Sequence, residues 1–458
     1  MARCIGPGTA AWFAVVARRP VLTLSLLFVV CVAVFLATLR LPRADNLVIG
    51  SDGILYYSYV RSLVIDGDID LADEYAHFSR FPGFGDVPKP TPTGRLPNRM
   101  PIGLALLWVP FFLAGHATAW LFGASLDGYS TIHQTAVCLG SMLYGGVGLL
   151  LSYRLCREHA DKVSALVAVV ILWFGSNAIY YLVAEPSMSH MTSLGLVAAL
   201  LAWWRFEKGG GGAGYWTGLG ILGGLAALVR PQDGLFLLLP VLDWACAERA
   251  RLRAGRGGLE RSLAGPALMI CVAGALYALQ LWAWWLLYGS ILESSYMYAG
   301  AHHFAWLQPQ LFAVLFSFRH GLFTWHPVYL AAAAGLWWLA YRDRAYTVLL
   351  LVAFALQVYV VAAWNIWWQG DAFGGRMFLS CFPFFAVGLG QLVMRLRRVH
   401  WAAVAVPALL LVLWNGAFLV QYRFGFIPMG DAISARQLLV DKLTLPLDVW
   451  RRLRQRTP

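Results

Sequence analysis

The chain has 458 residues, of which 60% are hydrophobic and 13% are charged, with a formal net charge of +12. Soluble domains carry about 25% charged residues, so this composition excludes an ordinary water-soluble protein. The basic residues fall in short clusters between apolar segments rather than in one stripe, which is the positive-inside pattern of membrane proteins. We therefore expect an all-α polytopic membrane protein without a nucleic-acid partner.

Apolar segments recur along the chain, and most are close to the roughly 20 residues that cross a hydrocarbon core. The first is interpreted as an uncleaved anchor, because no small-residue cleavage site follows it. The pattern predicts a bundle of about 11 transmembrane helices in a single domain, residues 1–421, followed by a short tail, residues 422–458. The segments are 20–39, 101–123, 131–153, 163–183, 188–206, 215–229, 233–244, 264–288, 322–341, 345–363, 377–394 and 400–421.

Residues 40–130 form the predicted first outer loop, and its first part holds eight of the 23 carboxylates of the chain. Asp52 begins a predicted helix that runs to Val64, and the helix dipole favours an ionised carboxylate at that position. Asp45 is the nearest competitor for a chemical role. The simpler alternative is that Ser51 or Asp52 only caps the helix. The run Asp66 to Asp70 lacks the later glycine and glutamate of an EF-hand, so we predict that the acids from Asp66 to Glu74 are solvated turn residues.

The apolar segment 101–123 has two interpretations. If the basic loop 154–162 lies inside, span 131–153 must run inward, which leaves no crossing for residues 101–123. We therefore predict a juxtamembrane or re-entrant helix on the outer side, which Pro101, Gly103 and Pro110 suit. An ordinary span is the alternative. The same topology places the basic tail outside, against the positive-inside rule.

A second acid on the predicted outer side is Glu185, which follows one span and precedes another. Asp52 and Glu185 come from distant parts of the chain but share a face, so we predict that both are catalytic. One would act as general base towards an acceptor hydroxyl, and the other would orient it or hold a metal. If a divalent metal such as Mg or Mn binds, its ligands would be Asp52, Glu185 and His190. A helix-start acid and a hydrogen-bonded histidine are the simpler alternatives.

The predicted substrate-binding residues are mostly cations near the same face. Arg376 follows a Gly-Gly turn, and a guanidinium can bind phosphate with two hydrogen bonds. Arg230 precedes a proline that breaks an apolar run. Salt bridges or lipid-phosphate anchors are the alternatives for each cation. The full predicted set is Arg376, Arg230, Asp371, His190 and Arg99.

Five segments together resemble a known family: SDGILYYSYVRSLVIDGDIDL, NRMPIGLALLWVPFFLAGH, AEPSMSHMTSLGLVAALLAWW, GLAALVRPQDG and WWQGDAFGGRMFLSCFPFFAVGLG. They are similar to the GT-C membrane glycosyltransferases, and most similar to the branch of protein O-mannosyltransferases and aminoarabinose transferases. That resemblance implies a GT-C-like bundle with juxtamembrane helices in its first outer loop. It also implies that Asp52 is the first-loop catalytic acid and that Glu185 is the acid after the third span. The family often has two adjacent first-loop acids, whereas this chain has Ser51-Asp52-Gly53.

The resemblance implies a glycosyltransferase that moves a sugar from a polyprenyl-phosphate-linked donor to an envelope glycan, lipid or protein. We expect it in a bacterial-type inner membrane, among membrane lipids, with its active site facing the periplasm or exterior. One alternative is a transporter or flippase of an amphipathic lipid or lipid-linked sugar, which would need polar groups at mid-membrane. Another is a non-catalytic envelope scaffold.

Overall fold

The computed structural model describes residues 19–39, 47–81, 84, 86–207, 212–255, 259–300 and 302–454. Asp45 lies outside these described residues. Within them the regular structure is helical, and the β contact present is an isolated bridge between Phe304 and Trp364. The all-α prediction is therefore confirmed.

Most helices follow the apolar segments, but the segment predicted over 233–244 begins as a 3-10 helix, Pro231–Leu237, and the α-helix after it runs from Leu238 to Arg253. Seven stretches in the described part of the chain are long and apolar enough to cross a membrane: Pro20–Thr38, Gly103–Leu121, Thr131–Cys156, Leu263–Tyr288, Arg344–Ala363, Arg376–Val399 and Ala402–Arg423. This is an integral membrane protein, whereas the number of about 11 crossings stays a prediction. In chain order the helices are α1 (Pro20–Thr38), α2 (Asp52–Arg61), α3 (Ala72–Phe78), α4 (Gly103–Leu121), α5 (Thr131–Cys156), α6 (Lys162–Gly175), α7 (Ala178–Val183), α8 (His190–Phe206), α9 (Ala213–Val229), α10 (Leu238–Arg253), α11 (Leu259–Tyr288), α12 (Leu311–Phe316), α13 (Leu322–Trp325), α14 (Pro327–Ala340), α15 (Arg344–Ala363), α16 (Phe382–Val399), α17 (Ala402–Arg423), α18 (Ala435–Leu439) and α19 (Asp441–Arg454).

The segment predicted to be juxtamembrane is the helix α4, which contains Pro110. Its 19 residues are also enough for a crossing by length and composition. The juxtamembrane assignment and its alternative, an ordinary span, therefore both stay predictions.

The chain divides into two compact units. Unit 1 contains Met1–Val29, Leu149–Tyr180 and Phe304–Pro458, and unit 2 contains Val30–Gly148 and Tyr181–His303. Three of the four divisions fall within helices, in α1, α5 and α7, and the single domain expected over residues 1–421 stays a prediction.

Helix α16 lies at the core of unit 1, where it packs against α14 and α6. The closest approach is between glycines, because a Cβ at Gly335 would overlap the carbonyl oxygen of Gly388. Small residues let helix backbones approach closely, which is a common packing device in membrane proteins.

The predicted apolar segment 163–183 is not one helix but two, because the backbone turns at Ser176 and Asn177 between α6 and α7. The Asn415 side-chain amide donates to the backbone carbonyl oxygens of Phe174 and Ser176, at 2.9 and 2.7 Å. The Tyr329 hydroxyl donates to Asn177 Oδ1 at 2.8 Å. Partners distant in sequence therefore satisfy the polar groups that the break releases.

In unit 2, the first outer loop has a folded framework of its own. The helix predicted from Asp52 to Val64 is α2, which continues as a π-helical turn over Ser62–Asp66. Asp66, Asp68 and Asp70 are exposed, as predicted for turn residues. Asp68 Oδ1 accepts from the Ser62 hydroxyl at 2.9 Å and from the Asp70 N–H at 3.0 Å.

Glu74 differs from the other acids of this loop, because it is fully buried. Its Oε1 atom accepts from Arg61 Nη1 at 3.0 Å, and Arg61 also pairs with Asp66 and donates through Nε to the carbonyl oxygen of Asp127 at 3.0 Å. Burial raises the pKa of Glu74 to about 7, and the Arg61 guanidinium opposes that rise. The interpretation of all these acids as solvated is therefore wrong for Glu74.

This buried carboxyl predicts a pH-dependent stability. The folded-state pKa of about 7 exceeds the ordinary value of 4.5, so protonation of Glu74 favours the folded state. This contribution to the free energy of unfolding is fully present below pH 4.5 and is lost as pH rises through about 7. Glu74→Gln should remove this pH dependence of the free energy of unfolding, which amounts to at most about 3 kcal/mol across the range. Thermal unfolding of the purified protein in detergent across this pH range measures it.

Asp86→Asn is the matched control, because Asp86 is an exposed acid of the same loop. It should leave the pH dependence unchanged. An unaltered slope in the Glu74→Gln protein would contradict the assignment.

Candidate functional site

Asp52 is presented by a turn with an unusual backbone. The Gly53 N–H donates to the carbonyl oxygen of Gly50 at 2.9 Å. Ser51 has φ 51° and ψ −134°, a conformation that strongly favours glycine and strains an L-residue. The Ser51 side chain makes no capping hydrogen bond in this structure. Asp52 is then the first residue of α2, where the helix dipole favours its negative charge.

The chain that enters this turn is fixed by Gln134 at the start of α5. Gln134 Oε1 accepts from the backbone N–H of Val48 at 3.0 Å and of Ile49 at 3.4 Å. Its amide donates to the carbonyl oxygen of Tyr129 at 3.0 Å. One buried amide side chain therefore connects both ends of the outer loop.

Arg99 pairs with Asp52 across the loop. Arg99 Nη2 lies 2.8 Å from Asp52 Oδ1, with the arginine side chain 54% exposed and the aspartate side chain 15% exposed. The guanidinium can therefore leave the carboxylate without unfolding its surroundings. The prediction placed Arg99 in the site, and the structure brings it to Asp52.

Asn98 holds the backbone beside Arg99. Its amide donates to the carbonyl oxygen of Leu55 at 2.8 Å, and its Oδ1 atom accepts from the Met100 N–H at 2.9 Å. The Tyr288 hydroxyl donates to the Asn98 carbonyl oxygen at 2.9 Å. Sequence reasoning missed this fully buried asparagine, because its partners are up to 190 residues away.

The turn that carries Glu185 packs directly on the first turn of α2. A Cβ at Gly53 would overlap Ser187 Oγ and lie 2.7 Å from Ser187 Cβ, so only glycine permits this approach. The Tyr56 hydroxyl donates to Ser189 Oγ at 3.2 Å. The segments of both predicted catalytic acids therefore meet within unit 2, and Glu185 itself is half-buried.

His190 and Arg230 form a second buried pair, with exposures of 3% and 6%. The Arg230 guanidinium contacts His190 Nδ1. A guanidinium can only donate, so His190 Nδ1 accepts and the ring proton is on Nε2. The Tyr181 ring packs edge-on against the imidazole, 4.6 Å between centroids.

A buried carboxylate lies one turn beyond Arg230. Arg230 is extended before Pro231, with φ −147° and ψ 108°, and this conformation ends α9. The Asp233 N–H donates to the Arg230 carbonyl oxygen at 2.8 Å, and Ser193 Oγ donates to Asp233 Oδ2. Ser193 gave no sequence signal, since a serine inside an apolar helix is common.

His302 extends the Asp52 region on the side of the 289–303 segment. Burial lowers its pKa, Arg99 lowers it further, and Asp52 opposes the shift. Its ring lies 6.5 Å from that of Tyr296, whose hydroxyl contacts Met100 Sδ at 3.7 Å. No role for His302 was predicted from the sequence.

The predicted metal ligands do not fit a metal centre. Among the described residues, no three His, Cys, Asp or Glu side chains are grouped so that they could hold an ion. His190 uses Nδ1 for the Arg230 guanidinium, and a cation beside it is unfavourable for a second positive charge. A metal at Asp52, Glu185 and His190 therefore stays a prediction without geometric support.

The remaining predicted substrate-binding residues, Arg376 and Asp371, belong to unit 1. Arg376 is buried at the start of a 3-10 turn, and its N–H donates to the carbonyl oxygen of Gly374 at 2.8 Å. Asp371 is exposed, with its carboxylate against Gly430. Their roles stay predictions.

The loop that precedes Arg376 is strained and tightly packed. Gln369 is fully buried with φ 72°, and its Oε1 atom accepts from the Met377 N–H at 2.7 Å. The Arg319 guanidinium lies 3.9 Å from the centre of the Trp368 ring and donates to the Gly430 carbonyl oxygen at 2.6 Å. Backbone strain at a polar loop is a feature that ligand sites often have.

Comparison with protein families gives one match. Residues 117–256 match the family described as "Dolichyl-phosphate-mannose-protein mannosyltransferase". This region is less than half of the chain; it includes Glu185, His190 and Arg230 but not Asp52. No curated protein matches the chain in sequence.

Solved structures give a broader match. ArnT from Cupriavidus metallidurans bound to undecaprenyl phosphate has a TM-score of 0.53 at 14% identity, covering 92% of this chain and 72% of that chain. The same enzyme in the apo state gives 0.48 at 16% identity, with the same coverage. The archaeal oligosaccharyltransferase AglB from Archaeoglobus fulgidus, in complex with an inhibitory peptide and a dolichol-phosphate, gives 0.45 at 13% identity, covering 92% and 53%. The chain has the fold of the GT-C membrane glycosyltransferases, as the resemblance in sequence predicted.

The contact between α2 and the Glu185 turn can be tested by a compensating pair of substitutions. Gly53→Ala should lower stability by about 1–3 kcal/mol, because the added Cβ overlaps Ser187. Ser187→Gly in the same protein should restore most of the loss. Thermal unfolding of the two single variants and the double variant measures the coupling. Purely additive effects would show that the two segments do not touch.

Proposed function

We propose that this protein is a GT-C-type glycosyltransferase that moves a sugar from a polyprenyl-phosphate-linked donor to a hydroxyl group of an envelope acceptor. The observation that carries the proposal is the Asp52–Arg99 pair at the start of α2, packed beside the turn that contains Glu185. The fold and the family match support the reaction class. The undecaprenyl phosphate of the ArnT structure supports a lipid-phosphate carrier.

In the proposed reaction, the acceptor hydroxyl oxygen attacks the anomeric carbon of the donor sugar. The bond between that carbon and the phosphate oxygen breaks, and its electron pair leaves with the polyprenyl phosphate. The Asp52 carboxylate takes the hydroxyl proton as general base. Because attack and departure occur on opposite faces of the carbon, the configuration inverts. The leaving phosphate is a stable anion and therefore needs little help from an acid.

The Arg99 guanidinium would change partners during this reaction. Without donor it pairs with Asp52, and its half-exposed side chain can turn towards an incoming phosphate. That move would neutralise the leaving group and release the carboxylate for the acceptor proton. Donor binding and base activation would then be one event.

Glu185 and the His190–Arg230 pair would position the acceptor side of the site. Glu185 is half-buried in the turn against α2, so it can accept a hydrogen bond from the acceptor hydroxyl. Arg230 is buried against His190 and would hold the turn rather than move. Arg376 and Asp371 are retained as proposed substrate-binding residues on the basis of the sequence.

For the cellular location, we propose a bacterial-type inner membrane with the reaction at its periplasmic or exterior face. The basic clusters between apolar segments support this orientation of the first outer loop. A lipid-linked donor presented at that face would reach the Asp52 region directly from the bilayer.

Asp52→Asn should lower transfer by a factor of roughly a hundred or more while leaving the fold intact, because the amide cannot take the proton. The measurement is mass spectrometry of envelope glycans and lipids in deletion cells that carry either the wild-type or the variant gene. Wild type should restore the missing sugar modification, and the variant should not.

Asp68→Asn is the matched control, since Asp68 is an exposed turn acid of the same loop. It should restore the modification fully. Near-normal modification by the Asp52→Asn protein would overturn the assignment. Movement of lipid-linked sugar across liposomes containing the wild-type protein, without transfer, would instead support a flippase.

A further inference from the structure

The tail contains an amphipathic helix whose apolar stripe faces outward. Leu443, Leu447 and Trp450 lie at i, i+4 and i+7 on α19, and they are 82%, 58% and 51% exposed. Leu453 is 53% exposed beside them. A water-soluble surface would not present this stripe, so α19 requires an apolar environment on that side.

The opposite side of α19 is anchored on α17, within unit 1. Lys442 Nζ donates to Gln421 Oε1 at 3.0 Å and lies 3.0 Å from the centre of the Phe418 ring. Leu445 is buried, and the Arg452 guanidinium stacks 5.1 Å from the Phe426 ring centre. These contacts fix which side of the helix faces away from the protein.

Basic side chains border the exposed stripe. The Arg454 guanidinium lies 3.8 Å from the centre of the Trp450 ring, and Arg451 has a side chain 68% exposed. An arginine beside a tryptophan at the edge of an apolar stripe is the arrangement of a helix that lies in a membrane interface. The arginines then meet lipid phosphates while the leucines and tryptophan enter the acyl region.

The neighbouring surface of α17 is apolar and exposed, as expected of a surface that faces lipid. Leu409, Leu410 and Leu413 of this candidate span are 58–62% exposed. Beyond Leu413, Lys442 covers Trp414 and Phe418. The α19 helix is therefore anchored beside the exposed apolar surface of α17, and its own apolar stripe is exposed as well.

We propose that α19 is an interfacial helix that binds anionic lipid headgroups through Arg451 and Arg454. This would account for the basic residues of the tail, which conflict with the positive-inside rule in the predicted topology. They would be lipid ligands rather than a topology signal. The interaction does not depend on the glycosyltransferase proposal.

The test uses the full-length protein in nanodiscs that each hold one copy. Hydrogen–deuterium exchange of peptides from residues 441–454 is compared between phosphatidylcholine and a mixture with phosphatidylglycerol. Exchange should be roughly five- to tenfold slower with the anionic lipid. The Arg451→Gln/Arg454→Gln variant should lose this difference.

Arg342→Gln/Arg344→Gln is the matched control, because both arginines are exposed but lie outside α19. It should exchange like wild type. Equal exchange of the wild-type helix in both lipids would overturn the proposal. Slow exchange that appears only in discs with two copies would assign the stripe to self-association instead. Leu443→Glu should speed exchange in both lipids, which separates insertion of the stripe from electrostatic attraction.

Discussion

The site in unit 2 depends on one close approach, that of the Gly53 backbone to the turn containing Ser187. Asp52 lies on one side of this contact and Glu185 on the other, although 133 residues separate Tyr56 from its partner Ser189 across it. A single Cβ would separate the two segments. Because glycine has no Cβ, the start of α2, which carries Asp52, can pack against the turn that carries Glu185.

Buried polar side chains hold the segments that connect the helices of the outer loop. Gln134, Asn98 and Arg61 each bind two or more groups of the loop, and all three are buried. Buried polar groups are costly unless paired, so such fully bonded side chains select one loop conformation over alternatives. That rigidity positions Asp52, while Arg99 stays half-exposed beside it. The loop therefore combines a fixed carboxylate with a half-exposed cation.

The sequence was sufficient for the position of most apolar helices, because hydropathy and basic loops act over short distances. The ends of α1, α4, α8 and α9 lie within about two residues of the predicted segments, which is the ordinary uncertainty of helix ends.

The break at Ser176 was missed, since its stabilising partners Tyr329 and Asn415 are more than 150 residues away. Glu74 was misjudged although its partner Arg61 is only 13 residues away, because local polarity does not reveal that the folded loop buries both side chains. At the candidate site, Asp52, Arg99, His190 and Arg230 were predicted from position and chemistry, and the structure pairs Arg99 with Asp52 and Arg230 with His190. The Ser51 backbone strain and the Ser187 contact were not, because both follow from tertiary packing.

The unequal burial of the long helices has a consequence for the bilayer itself. The span at α16 is 89% buried, whereas those at α1, α11 and α17 are each only 17% buried. We therefore expect lipid tails to contact mainly α1, α11 and α17. A change in membrane thickness would act first on these helices, through tilt or local bending of the bilayer, while α16 keeps its protein neighbours. The same sequence could then tolerate membranes of different thickness without a change in its packed core.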